Sequence, residues 1–239
     1  MVNVLIVDND EQILELLKAM FGSPVFNFKT ATSLSEAIEI IQKSPIRWHC
    51  WILDIDLASD ETGLSILAKN AGFPFSIILS GMRSMAVAAD AMKLGARAVV
   101  DKDPMGMKRL YTEVCQTAAL AFVLHGKQTP FLDSFLHLQN PNVVSLEDWA
   151  QISATPVRQI QRICGLHNSL TPHYAIALYR TMYFLLWHSD FQPDTQEDAV
   201  DIQDDRPLFK DYQQSMDYIM RKLPTTQEAL DCFNTIAVN

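Results

Sequence analysis

The feature that most constrains the fold is the repeated alternation of short, wholly apolar runs with longer helical patterns. Each apolar run stops at or just before a polar residue, and the runs lie at residues 4–7, 51–53, 77–79 and 98–100. Apolar residues between them recur at helical spacing, and the last helix of this part runs from residue 104 to about residue 125. Strands that are apolar on both faces are typical of a parallel sheet covered by helices on both sides. We therefore predict an α/β fold with a doubly wound, five-stranded parallel sheet.

Composition excludes several classes of protein. The chain carries a net charge of -9, which does not favour a general nucleic-acid-binding protein, because the phosphate backbone favours Lys and Arg. No apolar run approaches the roughly 20 residues needed to span a bilayer, and the N-terminus reaches acidic residues too soon for a signal peptide. The cysteines show no paired metal-ligand spacing and stand at Cys50, Cys115, Cys164 and Cys232. We expect a reduced, cytoplasmic protein.

A change of pattern near Gln128 divides the chain into a first domain over residues 1–127 and a helical second domain over residues 128–239. Helical periodicity dominates residues 145–187. Residues 188–207 are polar and acidic, as in a solvated linker. Residues 208–239 predict terminal helices, because an apolar stripe at helical spacing is followed by the Thr225–Glu228 capping pattern.

Chemically useful side chains follow the predicted strands of the first domain. Asp8, Asn9 and Asp10 follow the first run, Asp54 follows the second, Ser80 ends the third and Lys102 follows the fourth. The carboxyl ends of parallel strands meet at one edge of the sheet, so we expect these groups in one crevice. Clustered carboxylates favour a cation such as Mg²⁺, which prefers hard oxygen ligands. A hydroxyl and an ammonium could then hold phosphoryl oxygens, so the set predicts an aspartyl-phosphate site.

Four separated motifs in this order resemble the receiver domain of two-component response regulators, which has a flavodoxin-like (CheY-like) fold: LIVDND, WILDIDL, IILSG and GARAVVDK. The resemblance covers about residues 1–125. It implies that a histidine kinase or a phosphotransfer protein phosphorylates Asp54. It also implies that Asp8, Asn9, Asp54 and the backbone carbonyl of Asp56 bind Mg²⁺, and that Ser80 and Lys102 sense the phosphoryl group.

Three positions depart from the family pattern. Asn9 stands where the family usually has a second acid, and its amide oxygen can bind a metal but brings no charge. Asp10 could compensate for that charge. Val99 occupies the position of the usual switch aromatic, and the loop after Asp56 is about one residue longer than usual. We therefore expect weaker Mg²⁺ binding and an altered response to phosphorylation.

A helix-turn-helix is predicted in the second domain. Ser145 can cap a first helix whose apolar residues face a core. Thr155 and Pro156 then begin a second helix with Pro at its first position, and Gly165 ends it. Val157, Ile160, Ile163 and Cys164 are expected to point inward, and the outward set is Arg158, Gln159, Gln161 and Arg162. Arg and Gln side chains suit base edges and phosphates, so this face is a candidate DNA-binding surface.

The pattern SLEDWA, TPVRQIQR, then Gly-Leu and TPHY resembles the first helix-turn-helix of AraC-type regulators. It covers about 45 residues, and it implies that the helix over residues 155–164 enters the major groove. The family normally has a second helix-turn-helix, which we do not find; the acidic residues 188–207 stand in its place. From Gln128 onward acidic residues are twice as numerous as basic ones, so tight DNA binding is expected to need a homodimer on a two-part site.

We therefore expect a response regulator, not an enzyme, in which phosphorylation of Asp54 controls an AraC-like DNA-binding output. One alternative is a phosphorylation-gated protein-interaction module without DNA binding. Another is a receiver that never takes phosphate, which Asn9 keeps open. The six histidines show no metal-ligand spacing and are expected to be ordinary loop or surface residues.

Overall fold

A five-stranded parallel sheet forms the centre of the N-terminal half. The computed structural model describes residues 1–22, 25–57, 62–69, 73, 75–81, 85–127, 129–167 and 170–188. The strands are β1 (Val2–Val7), β2 (Phe26–Ala31), β3 (Cys50–Asp54), β4 (Ser76–Ser80) and β5 (Ala98–Asp101). They pair in the order β2-β1-β3-β4-β5, and every pairing is parallel. The predicted α/β architecture is confirmed for this half.

Strand β2 is the element that apolar runs did not locate. Its sequence, FNFKTA, places polar residues at alternate positions, and Lys29 is exposed. β2 lies at the edge of the sheet and pairs with β1 alone. An edge strand needs fewer apolar residues than the central β3 and β4, which are buried along their whole length.

Helices separate the strands and are capped by local side chains. They are α1 (Glu11–Met20), α2 (Leu34–Lys43), α3 (Gly63–Lys69), α4 (Met85–Lys93) and α5 (Pro104–Val123). The side chains of Asp10, Ser33 and Asp103 each accept a hydrogen bond from a backbone N–H at the start of a helix. Gly95 stands two residues after the end of α4 and has a positive φ of 93°, a conformation that favours glycine after a helix.

The strands divide their side chains between two hydrophobic cores. Val4 and Ile6 of β1 face one core, which also contains α1 and α5 residues, whereas Leu5 and Val7 face a second core with α2, α3 and α4 residues. Ile52 and Leu53 of β3 are divided in the same way. This alternation follows from the two-residue period of a strand. It leaves the carboxyl edge of the sheet as the place where polar strand-end residues gather.

The C-terminal helices are α6 (Leu132–Leu136), α7 (Leu146–Ile152), α8 (Val157–Leu166) and α9 (Pro172–His188), with a 3-10 turn at His137–Gln139. Ser145 caps α7 by accepting from the N–H of Asp148, as predicted. Two details of α8 differ from the sequence prediction. Pro156 is the residue before the helix, and Gly165 lies inside it. The helix ends at buried His167, so packing ends it and glycine does not.

Helix α5 belongs to both parts of the chain. One hydrophobic core extends from the sheet through α5 into α7, α8 and α9, and it includes Val114, Trp149, Ile160 and Tyr179. The C-terminal half of α5 is buried almost all round, because the sheet covers one side and the later helices cover the other. The boundary predicted at residues 127–128 therefore separates an α/β part from a helical part, and the two parts share one core. That this position is a domain boundary stays a prediction.

Two histidines contradict the expectation of loop or surface positions. His49 is fully buried, stacks on Phe122 at a centroid distance of 4.4 Å and accepts the backbone N–H of Asn3 at Nδ1. Burial, with the nearby charges of the N-terminus and Arg47, lowers the pKa of His49 to about 3. His167 is also buried, and burial lowers its pKa. Both side chains lie in the core because distant elements pack over them.

The predicted terminal helices within residues 208–239 lie outside the described residues, as does the acidic segment from residue 189 onward. Among the helices that the structure does describe, none combines the length and apolar character needed to cross a bilayer.

Candidate functional site

Strand register brings the predicted site residues to one edge of the sheet. Val7 pairs with Leu53, so Asp8 and Asp54 leave neighbouring strands at the same level. Ser80 pairs with Asp101, and Lys102 follows directly after that pair. The Lys102 N–H donates to the Ser80 carbonyl at 2.7 Å, which continues the parallel pairing by one residue. The order of the strands therefore brings four distant sequence motifs together in one site.

The ammonium of Lys102 joins the two buried carboxylates. Its Nζ lies 2.7 Å from Oδ2 of Asp8 and 3.0 Å from Oδ1 of Asp54. Asp8 is 1% exposed and Asp54 is 2% exposed, whereas Lys102 reaches them from the partly open side of the site. Buried carboxylates are stable only when paired, and one lysine neutralises part of the repulsion between these two. The sequence prediction that these three residues converge is confirmed.

The site shifts the protonation equilibria of its residues. Burial raises the pKa of the Asp54 carboxyl, and the charge of Asp8 raises it further. The hydrogen bond and charge of Lys102, and the Asp56 backbone N–H, lower it by less than this. For Lys102, burial by itself lowers the pKa, but the hydrogen bonds and charges of Asp8 and Asp54 outweigh it, so the pKa is raised. Asp54 is thus a carboxylate held in a weakly solvated place beside a firmly protonated lysine.

The other residues predicted to bind the metal lie at the exposed edge of the site, next to the buried carboxylates. Asn9, Asp10 and Asp56 are exposed, and the Asp10 N–H donates to Oδ1 of Asp8 at 2.9 Å. The carboxylate of Asp10 accepts the N–H of Gln12 at 2.8 Å and so caps α1. This bond favours a structural role for Asp10 over the compensating metal ligation predicted for it, which stays a prediction.

The oxygen ligands available at this edge suit a hard cation, but only two of them, from Asp8 and Asp54, are buried carboxylates. Asp8 and Asp54 supply carboxylate oxygens of the kind that Mg²⁺ prefers. In the described part of the chain, no group of three or more His, Cys, Asp or Glu side chains lies close enough to hold a metal ion. A magnesium ion at this edge would therefore need a neutral oxygen as a third protein ligand. Asn9, next to Asp8, offers one.

Asp103, next to the site, is a helix-capping residue that the sequence analysis missed. It follows Lys102, and its Oδ1 accepts the N–H of Gly106 at 2.7 Å, which caps α5. The signal was present, because Asp followed by Pro104 is a typical start of a helix. The cap anchors the segment that carries Lys102.

Ser80 is buried at the end of β4, where the sequence analysis placed it. Val99 is partly buried against the core that α4 covers.

The second predicted site is the outer face of α8. Ile160, Ile163 and Cys164 are buried and Val157 packs against the same core, as predicted. The four outward residues are all exposed: Arg158, Gln159, Gln161 and Arg162. Leu166 is exposed as well, at 62%. The exposure is confirmed, whereas contact with DNA stays a prediction.

Comparison with known proteins agrees with the geometry of the sheet edge. Residues 4–114 match the family model of the response regulator receiver domain. An NtrX-like response regulator of Rickettsia bellii is 31% identical over 106 residues, which are 43% of this chain and 22% of the relative. Its counterpart in Rickettsia felis is 34% identical over 104 residues, which are 42% of this chain and 22% of the relative. The chain thus spans about a quarter of the length of the curated relatives it matches.

Two solved structures show a partial likeness to this chain. A receiver domain from Clostridium thermocellum shows 23% identity and a TM-score of 0.47, covering 52% of this chain and 99% of that chain. A response regulator from Burkholderia pseudomallei, described with a phosphorylated aspartic acid, a calcium ion and citrate, shows 19% identity and a TM-score of 0.43, covering 68% of this chain and 98% of that chain. The family match, the parallel sheet and the site at its carboxyl edge lead to one conclusion: residues 4–114 form a response regulator receiver domain.

Proposed function

We propose that this protein is a response regulator whose Asp54 accepts a phosphoryl group from a histidine kinase or a phosphotransfer protein. The observation that carries the proposal is the Lys102 ammonium, which bridges the buried carboxylates of Asp8 and Asp54 at 2.7 and 3.0 Å. An ordinary loop aspartate has no reason to be buried beside a second carboxylate. A nucleophilic carboxylate with a cation beside it, at the edge of a parallel sheet, suits phosphoryl transfer.

Each residue has a separate part in the transfer. An Asp54 carboxylate oxygen would form the new bond to phosphorus while the bond from phosphorus to the donor's histidine nitrogen breaks. The freed histidine leaves with the electron pair of that bond. The Lys102 ammonium would then pair with a phosphoryl oxygen, and the Ser80 hydroxyl would donate to another. The three N–H donors of the ammonium allow this pairing beside its present contacts with Asp8 and Asp54.

Magnesium fits this site as the proposed cofactor. Asp8, Asp54, Asn9 and the backbone carbonyl of Asp56 would hold it, and bound Mg²⁺ would neutralise charge on the transferring phosphoryl group. The two buried carboxylates support this ligand set, since they are close enough to share one Lys102 ammonium. Asn9 brings an oxygen but no charge, so we expect affinity below that of a site with three carboxylates.

Phosphorylation with a small phosphodonor tests the receiver proposal. Wild-type protein with Mg²⁺ and acetyl phosphate should gain one phosphate, read by intact-mass spectrometry, and Asp54→Asn should gain none. Asp90→Asn is the matched control, because it changes an exposed carboxylate on α4 and leaves the buried pair in place. Equal labelling of Asp54→Asn would show that another residue is phosphorylated. No labelling of the wild type would favour a receiver that never takes phosphate.

For the output, we propose that α7 and α8 form an AraC-like helix-turn-helix that binds DNA to regulate transcription. Support comes from the short turn between the two helices, the buried apolar side of α8 and its exposed Arg and Gln residues. Arg158 and Arg162 are one helical turn apart and share one face. With so many acidic residues in this half, specific binding would need a homodimer on a two-part site.

A protein-interaction output is the second candidate, and one observation favours it. Leu166 lies eight residues after Arg158 and four after Arg162, so it extends their face of α8 with a large, exposed apolar side chain. An apolar residue that follows two basic ones on one face suits an acidic and apolar partner surface. A gel-shift assay against genomic fragments, with and without phosphodonor and at two stated salt concentrations, separates the candidates. Specific retention of DNA supports the first, and none supports the second.

A further inference from the structure

Two helices adjoining the phosphoacceptor site carry in their first turn a glycine that lies directly against the backbone of a strand end. A methyl group on Gly63 would lie 2.0 Å from the carbonyl oxygen of Asp54 and 2.9 Å from its carbonyl carbon. A methyl group on Gly106 would lie 1.9 Å from the carbonyl oxygen of Asp101 and 2.8 Å from its carbonyl carbon. Side-chain carbons do not approach backbone atoms this closely, so only glycine allows these contacts.

Close approach, and not backbone conformation, explains both glycines. The positive-φ glycines of the described residues are Gly95 and Gly126, and neither Gly63 nor Gly106 is among them. Gly81 and Gly165 have open space where a side chain would stand. A glycine that is needed for its conformation can occur without a close neighbour, but Gly63 and Gly106 combine ordinary conformation with the two closest backbone contacts. Alanine would therefore push α3 or α5 away from the strand end it touches.

Hydrogen bonds hold the same two strand ends in place. The Gly63 N–H donates to the carbonyl of Ile55, the residue after Asp54, at 3.2 Å. The Gly106 N–H donates to Oδ1 of Asp103, and the Lys102 N–H donates to Ser80, both at 2.7 Å. Each strand end is thus held by its neighbouring strand and by the first turn of a helix. One of the two ends carries the nucleophile and the other carries the cation.

We propose that Gly63 and Gly106 are positioning residues that set the distance between Asp54 and Lys102, and thereby the alignment of the nucleophile and cation for phosphoryl transfer. This inference rests on the proposed function of Asp54. The 3.0 Å ion pair joins β3 and β5, which are separated by β4, so it depends on the position of both strand ends. Displacing either end by about 1 Å would break the pair, and a misplacement of that size can cost about a hundredfold in rate.

Gly106→Ala and Gly63→Ala test the proposal against Gly165→Ala. Gly165 lies on exposed α8, where an alanine meets nothing. The first measurement is the crystal structure of each variant, which gives the distance from Nζ of Lys102 to Oδ1 of Asp54. This distance should exceed the 3.0 Å of the present ion pair in both site variants and stay unchanged in Gly165→Ala. An unchanged distance in both site variants would overturn the proposal.

Phosphorylation rates test whether Gly106 acts through Lys102. With acetyl phosphate and Mg²⁺, Gly106→Ala should be phosphorylated about a hundredfold more slowly than the wild type. In a Lys102→Ala background, adding Gly106→Ala should change the rate little, because the positioned group is already absent. The same loss in both backgrounds would show a general structural defect and overturn the positioning role.

The crystallographic distance separates this inference from the proposed function. If the wild type takes no phosphate, the proposed function fails, yet the distance between Lys102 Nζ and Asp54 Oδ1 still reports whether the glycines set the ion pair. Should Gly106→Ala fail to fold, Asp103→Ala removes the bond that holds the Gly106 N–H, and Asp103→Asn keeps a capping oxygen. Asp103→Ala should lengthen the distance between Lys102 Nζ and Asp54 Oδ1, and Asp103→Asn should keep it near the wild-type value. A distance that is the same in both variants and the wild type would overturn the proposal.

Discussion

The hydroxyl of Tyr111 on α5 donates a hydrogen bond to the backbone carbonyl of Leu186 on α9, at a distance of 3.0 Å. The ring of Tyr111 also stacks on Phe21 at the end of α1 and meets Trp187 edge-on, with centroid distances of 5.2 and 5.4 Å. One side chain of the receiver therefore contacts both the receiver core and the last described helix.

Two tyrosines of this shared core should respond in opposite ways to loss of the hydroxyl. Tyr111→Phe should lower the free energy of unfolding by about 1 kcal/mol, since it leaves the Leu186 carbonyl without this donor. The hydroxyl of Tyr179 is buried and finds no hydrogen-bond partner among the described residues. Tyr179→Phe should therefore leave stability unchanged or raise it. Urea unfolding measures both, and a larger loss in Tyr179→Phe would contradict this account of the interface.

The stability of the receiver should depend on pH through Asp54. Its pKa is raised in the folded protein, so the native state binds the Asp54 proton more tightly than the unfolded chain does. The stabilisation that this provides is present at low pH and is lost as pH rises from the unfolded pKa through the folded pKa. Asp54→Asn removes this dependence. Its stability relative to the wild type should rise across that window and then stay constant, and unfolding curves at a series of pH values measure the difference. A relative stability that falls with pH would refute the sign.

Lys102 is predicted to transmit the phosphorylated state. Lys102→Ala should still accept phosphate at Asp54 but should show a smaller conformational response, because the charge that pairs with the phosphoryl oxygens is gone. Chemical-shift changes along α5 on phosphorylation measure the response. Lys93→Ala is the control, because this lysine is exposed on α4 and pairs with Asp90. Wild-type shift changes in Lys102→Ala would remove this lysine from the mechanism.

Asn9 is predicted to limit magnesium affinity. Asn9→Asp adds one carboxylate beside Asp8, and two unit charges about 4 Å apart interact by about 1 kcal/mol in water and about 4 kcal/mol at an effective dielectric of 20. Binding of Mg²⁺ should therefore tighten by about tenfold or more, as measured by metal titration. Asn140→Asp, in the second half of the chain, controls for the added charge. Unchanged or weaker binding in Asn9→Asp would place Asn9 away from the metal.

Arg158 and Arg162 test the output. Replacing both with Ala should weaken DNA binding strongly and flatten its dependence on salt, because both arginines would contact phosphates or bases. Lys43→Ala with Lys93→Ala removes two exposed charges from α2 and α4 and is the matched control. Fluorescence anisotropy against a retained genomic fragment gives affinity and salt slope. Equal effects of the two double variants would assign the loss to net charge alone.

Much of the site was predictable because it depends on local order along the chain. Each of β1, β3, β4 and β5 is marked by an apolar run that ends near a polar group, and parallel strands carry their ends to one edge. Asp8, Asp54, Ser80 and Lys102 follow from that rule alone. The outward face of α8 follows in the same way from helical periodicity. These inferences need only the period of each element and the direction of the strands.

Tertiary packing decided what local order leaves open. Several contacts depend on distances between elements far apart in sequence. One lysine bridges two carboxylates, Gly63 and Gly106 touch strand ends, and Tyr111 bonds to Leu186. The burial of His49 has the same origin, since a lone histidine carries no periodic signal. The sequence determined which residues stand at the ends of strands and on the faces of helices, because those positions repeat along the chain. Only the tertiary structure decided their separations, because these depend on the contacts of every packed neighbour at once.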